Sequence, residues 1–78
     1  MLAGPAAGDI RRLDKPIATR ILSSLHRFAE SGTGDVKKLG GRKEELRLRI
    51  GDYRLFFVYT AADVIEVRRV LHRKDAYR

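Results

Sequence analysis

The chain contains no cysteine, and its only histidines are His26 and His72. The first absence excludes disulfide staples, thiolate metal sites and cysteine nucleophiles. Two histidines alone do not build a zinc cage. Long apolar runs are missing too: none approaches the ~20 residues that cross a bilayer as a helix. The N-terminus lacks the basic-then-apolar order of a secretory leader. The expectation is a cytoplasmic protein without membrane contact, metal or cofactor. At 78 residues there is material for one domain, which buries only roughly 60% of the surface its unfolded form exposes. A shallow surface or a small cleft fits that size. A two-domain enzyme, a large cofactor cavity or a repeat array does not.

Acidic residues are comparatively few. Lys and Arg total 17 against 10 Asp and Glu, for a net charge of +7. The excess is uneven: residues 1–36 contribute +1 and residues 37–78 contribute +6. A pI near 10.4 suits a polyanion or an acidic protein as partner. A solvated basic surface without a specific partner is the plainer alternative.

Residues 1–8, with Gly4, Pro5 and Gly8, are poor as a strand and mediocre as a helix. Asp9 is placed to cap a short helix through Leu13. Asp14-Lys15-Pro16 is a sharper helix start, because a proline in the first turn forfeits no hydrogen bond. From there Ile17, Ile21, Leu22, Leu25 and Phe28 recur at helical spacing, which predicts an amphipathic helix from Lys15 to Glu30. Ser31 to Asp35 stops it. Val36 to Leu39 and the Gly40-Gly41-Arg42-Lys43 stretch follow as connecting chain. The latter lacks the spacing of a phosphate-binding loop.

From Glu45 the hydrophobic period changes to 2. Leu46, Leu48 and Ile50 alternate with Arg47 and Arg49, and Gly51-Asp52 is a two-residue hairpin signal. Tyr53–Tyr59 and Val64–Leu71 read as two further strands. The result is an α+β domain, helical over 9–30, with a three-stranded antiparallel meander over 45–71 and a tail over 72–78. The hairpin loop sets the register: Ile50 opposite Tyr53, Arg49 opposite Arg54, Leu48 opposite Leu55, Arg47 opposite Phe56, Leu46 opposite Phe57. Opposed residues share a face. One face therefore carries Leu46, Leu48, Ile50, Tyr53, Leu55 and Phe57 for the helix to cover. The other carries Glu45, Arg47, Arg49, Arg54, Phe56 and Val58. Keeping Arg49 across from Arg54 means that both are solvated or that both serve an anion. In the last strand Arg69 falls among Ile65, Val67 and Leu71 on the apolar face, unless a bulge relieves it. The tail interleaves basic groups with Tyr77, a combination suited to single-stranded RNA, although a frayed charged terminus has the same composition.

Four segments together resemble the RelE/ParE superfamily of toxins from toxin–antitoxin modules: Arg12-Leu13-Asp14-Lys15-Pro16-Ile17, Asp35-Val36-Lys37-Lys38-Leu39, Leu46-Arg47-Leu48-Arg49-Ile50-Gly51-Asp52-Tyr53-Arg54-Leu55, and His72-Arg73-Lys74-Asp75-Ala76-Tyr77-Arg78. The resemblance runs from about Asp9 to the C-terminus. It implies a RelE-like fold, a helical hairpin packed on an antiparallel sheet. For the RelE branch it also implies a ribosome-dependent endoribonuclease that cuts mRNA in the A site by metal-free attack of a 2′-hydroxyl on the adjacent phosphate. The implied partners are an acidic antitoxin, the ribosome and mRNA.

By the same resemblance Arg54 contacts the scissile phosphate. Arg47 occupies the place of a catalytic lysine, Arg73 stabilises the transition state or leaving group, and Tyr77 stacks on the cleaved nucleotide. His72 is added as a proton shuttle because its ordinary pKa lies near neutrality. Arg49, Lys37, Lys38 and Lys74 complete an RNA- and phosphate-binding set. Three features depart from the family pattern. Glu45 stands where RelE enzymes carry a basic residue. The usual first strand is expected to be missing or truncated, which would leave a sheet edge open. With the chain ending at Arg78, no C-terminal helix is expected. A ParE-like inhibitor of DNA gyrase, a catalytically weakened or decayed toxin, and nucleic-acid binding by charge alone are the alternatives.

Overall fold

The computed structural model describes residues 2–40 and 44–76. Helix α1 spans Gly4–Arg11 and α2 spans Lys15–Ser31. Asp14 is the N-cap of α2 and Pro16 lies in its first turn, as the sequence predicts. The Asp14 side chain makes no cap bond, but its backbone carbonyl accepts the Ala18 N–H at 2.9 Å. At the other end Gly32 adopts φ 72° and donates its N–H to the Phe28 carbonyl at 2.8 Å, a left-handed termination that suits glycine.

One α2 face meets the sheet. Ile21 is fully buried, Ile17, Leu25 and Phe28 pack around it, and the Phe28 and Phe57 rings are 5.4 Å apart. Leu22, expected in the same stripe, remains 42% exposed. Helix α1 begins earlier than expected, with Pro5 in its first turn. Asp9 is therefore not a cap. It lies near the C-terminal end of α1 and is buried.

The sheet has four strands, one more than expected: β1 (Asp35–Gly40), β2 (Glu45–Ile50), β3 (Tyr53–Ala61) and β4 (Val64–His72), in the spatial order β1-β2-β3-β4. Strand β1 escapes the sequence pattern because it is a short edge strand with lysines at its centre, a composition that discourages further strand pairing. The β2–β3 register is the one derived from the hairpin, residue for residue. Its turn places Gly51 at φ 57° with Asp52 on the negative side, the arrangement that favours glycine at the first turn position. The helix-facing side packs Leu48, Ile50, Leu55 and Phe57 with Val67, Val70, Ile21 and Ala6 as the core.

A bulge in β4 resolves the misfit at Arg69. Phe57 pairs with Val67 and Phe56 with Arg69, leaving Arg68 unopposed. The pleat shifts by one, Val70 turns inward and Arg69 does not. The family's usual first strand, expected to be missing or truncated, is a single parallel bridge from Leu2 to Val67, with Ala3 N–H on Val67 O at 2.9 Å. Helix α1 then packs along β4, so the edge expected to be open is covered there. The tail also differs from expectation. Arg73–Ala76 forms a one-turn helix, α3, against β3 and β4.

Candidate functional site

The face of the sheet away from the helices carries two cross-strand rows. One runs Asp35, Arg49, Arg54, Leu71; the next runs Lys37, Arg47, Phe56, Arg69. Period-2 alternation in β2 and β3 puts these residues on one side. Pairing with β1 adds Lys37, which the hairpin alone did not bring in. Arg47 meets Asp35 across the strands at 3.7 Å. Arg49 is exposed. Glu45 shares this side and is half-buried. Phe56 and Val58 are buried there, so the cations stand on an apolar floor.

Arg54 is only 8% exposed. Its Nη1 donates to Gly51 O at 2.9 Å and to Tyr53 O at 3.0 Å, while its Nε is buried without a hydrogen-bond partner among the described residues. Most buried polar atoms find partners, so this guanidinium retains an unused donor. Arg73 reaches the same turn. Its backbone N–H donates to Asp52 O at 2.7 Å, and its Nε lies 3.9 Å from Asp52 Oδ1. Two residues far apart in sequence thus converge on the Gly51-Asp52 turn.

Other residues of the expected set are dispersed. His72 pairs with Tyr53, on the helix-facing side and away from the arginines. Its ring meets Tyr53 edge-on at 5.3 Å, and its Nδ1 accepts the Lys74 N–H at 3.2 Å, which leaves Nε2 to carry the proton of the neutral ring. That arrangement caps the start of α3. Lys38 pairs with Leu46, so its position also belongs to the helix-facing side. Lys74 is exposed on α3. Tyr77 and the 41–43 stretch lie outside the described residues.

Asp9 and Arg69 form a contact that the motif reading missed. Asp9 Oδ2 accepts Arg69 Nε at 2.7 Å and Val70 N at 2.9 Å, and Oδ1 accepts Arg69 Nη2 at 3.0 Å. Arg12 Nη1 adds a longer contact to Oδ1 at 3.4 Å. Burial pushes the Asp9 pKa up. The hydrogen bonds from Arg69 and Val70 and the charges of Arg69 and Arg12 outweigh it and hold the carboxyl below its ordinary value. The signal was available: an acid on the apolar stripe of α1 and a base on the apolar pattern of β4 are misfits of opposite sign.

Fold and cationic face together define a RelE-like toxin domain. The chain belongs to the ParE toxin family of type II toxin–antitoxin systems, within the RelE/ParE superfamily: the model described as "ParE toxin of type II toxin-antitoxin system, parDE" matches residues 1–77. Among curated proteins, Toxin RelE3 of Methanocaldococcus jannaschii is 44% identical over 43 residues, covering 55% of this chain and 48% of that protein. The match thus spans about half the length of that relative. Among solved structures, the RelB–RelE antitoxin–toxin complex from Methanococcus jannaschii is similar with a TM-score of 0.77 and 30% identity, over 99% of this chain and 94% of that one. The archaeal RelE–RelB complex from Pyrococcus horikoshii OT3 matches with a TM-score of 0.75 at 24% identity, over 96% and 93% of the two chains. The RelBE2 complex of Mycobacterium tuberculosis gives 0.61 at 23%, over 94% of each. The last two likenesses speak for the fold. No helix among the described residues is long and apolar enough to cross a membrane.

Proposed function

We propose that this toxin is a ribosome-dependent endoribonuclease that cuts mRNA in the A site and is silenced by an acidic antitoxin. The observation that carries the reading is the convergence of Arg54 and Arg73 on one turn, beside Arg47 and Arg49 on one face. In the proposed reaction the 2′-hydroxyl oxygen bonds to the adjacent phosphorus and the bond to the 5′-oxygen breaks. The products are a 2′,3′-cyclic phosphate and a 5′-hydroxyl end. Guanidinium donors aimed at the phosphorane stabilise the charge that develops there. Arg54 holds a phosphate oxygen, Arg73 serves the leaving oxygen, Arg47 adds positive charge, and Tyr77 stacks on the nucleotide. Arginine, with a pKa above about 12, is a poor base; Glu45 is the carboxylate of β2 on the same side. Arg49, Lys37 and Lys74 extend the phosphate-binding set, whereas Lys38, on the helix-facing side, does not. The partner reading draws on the net charge of +7 and on the antitoxin complexes formed by the structural relatives. Opposite charge steers such association.

Controlled expression of the wild-type chain and of Arg54→Ala, with mapping of mRNA 5′ ends, tests the reading. Codon-phased cuts that vanish in Arg54→Ala support it. Soluble, folded wild-type protein that arrests growth without cuts overturns it. The match of residues 1–77 to a ParE toxin model favours a second reading, inhibition of DNA gyrase. A supercoiling assay with purified protein separates the two.

A further inference from the structure

We infer that Asp9 is a positioning residue for the cleavage face: it clamps β4 beside its bulge and so holds Arg73 at the Gly51-Asp52 turn next to Arg54. The inference rests on the cleavage reading for its functional consequence, but its structural half stands apart from that reading. A bulge interrupts the ladder locally and leaves its extra residue unpaired. This one leaves Arg68 unopposed, in an edge strand, five residues before Arg73. Soon after it, Val70 N–H points to the side of β4 away from β3, where Asp9 Oδ2 accepts it at 2.9 Å. The same carboxylate takes two donors from Arg69.

One acid thereby ties α1 to both residues that follow the bulge. Beyond them Leu71 and His72 pair with Arg54 and Tyr53. Arg73 N–H then closes on Asp52 O at 2.7 Å. The path from the clamp to Arg73 is thus two residues of strand, ending at the turn that Arg54 also grips. If Asp9 served the core alone, its side chain would not need to face this segment. Its three close partners all belong to Arg69 and Val70.

The test is a double-mutant cycle on cleavage of ribosome-bound mRNA under single-turnover conditions, using Asp9→Asn, Arg73→Ala and the pair. A misplacement of about 1 Å costs about 100-fold in rate. Asp9→Asn is therefore expected to slow the wild-type background by about 10- to 100-fold and the Arg73→Ala background by about twofold or less. Equal losses in both backgrounds overturn the inference, as does no loss in either. Amide hydrogen exchange supplies the arm that does not depend on the reaction. In folded Asp9→Asn the Val70 and Arg73 amides exchange about 10-fold faster or more, while those of Leu48 and Phe57 keep their protection. An unchanged Arg73 amide overturns the inference even if the protein proves not to cut RNA. Should Asp9→Asn fail to fold, Arg69→Gln replaces it in both arms, because the Arg69 side chain is half exposed. A smaller loss of the same pattern is then expected, and an unchanged Arg73 amide again overturns it.

Discussion

Arg54 joins a structural role to the catalytic role proposed for it. Its hydrogen bonds to Gly51 O and Tyr53 O stiffen the turn, and truncation removes the donor from both of these part-buried bonds. Arg54→Ala is expected to cost about 1–3 kcal/mol of stability, read as a lower urea midpoint, and to slow mRNA cleavage about 100-fold or more. Arg54→Lys separates the roles, since an ammonium keeps the charge but not the planar fork; it should recover stability better than cleavage. Asp9 carries a pH signature. Its pKa is lowered in the fold, so its contribution to stability is present above the ordinary aspartate value of about 3.9 and is lost as pH falls through the lower folded value. Urea midpoints compared across pH 2–7 should therefore show wild type well above Asp9→Asn near neutrality, with the gap narrowing in acid.

At the scale of elements, the β2–β3 turn joins packing to the site. Gly51 sits at φ 57°, and a Cβ there would lie 3.2 Å from the Arg20 guanidinium. Gly51→Ala should cost about 1–2 kcal/mol for the left-handed backbone alone, and it should slow cleavage because Arg54 and Arg73 both bond to this turn. Circular dichroism melts beside single-turnover rates check both halves. Helix α2 works through burial instead. Ile21 is fully buried in the core cluster that includes Leu48 and Phe57, and Ile21→Ala should destabilise by about 2–5 kcal/mol. For a chain of this length that is a large part of the total, so the variant should melt far below wild type or fail to fold.

For the molecule as a whole, charge and shape divide the labour. The helices cover one side of the sheet, and the other holds Lys37, Arg47, Arg49 and Arg54 in adjacent rows. Four cations on a single strand's phosphates predict a slope of about −3 for log K against log salt. Arg49→Ala should flatten it by about 0.7, measured by fluorescence titration with a short single-stranded RNA. A slope near zero would show that the face does not follow phosphates.

Much of this molecule is legible in one dimension. The change of period at Glu45, the two-residue Gly51-Asp52 loop and the Asp14-Lys15-Pro16 start are local signals. Backbone sterics translate each into structure without reference to distant residues, and so the arginine side of the hairpin follows from alternation alone. Strand β1 escapes, and helix α1 starts earlier than its expected place, because neither has enough apolar periodicity of its own; each is stabilised by what it lies against. The same limit hides the site's third dimension. Sequence spacing places Arg73 in the tail, but only the pairing of β4 with β3 brings it to Asp52. Alternation cannot predict that His72 turns to Tyr53, because the bulge at Arg68 resets the pleat before it. Asp9 and Arg69 are sixty residues apart, and each alone is an error in an apolar pattern. Tertiary contact decides them, because a buried charge is stable only beside the partner that the fold supplies.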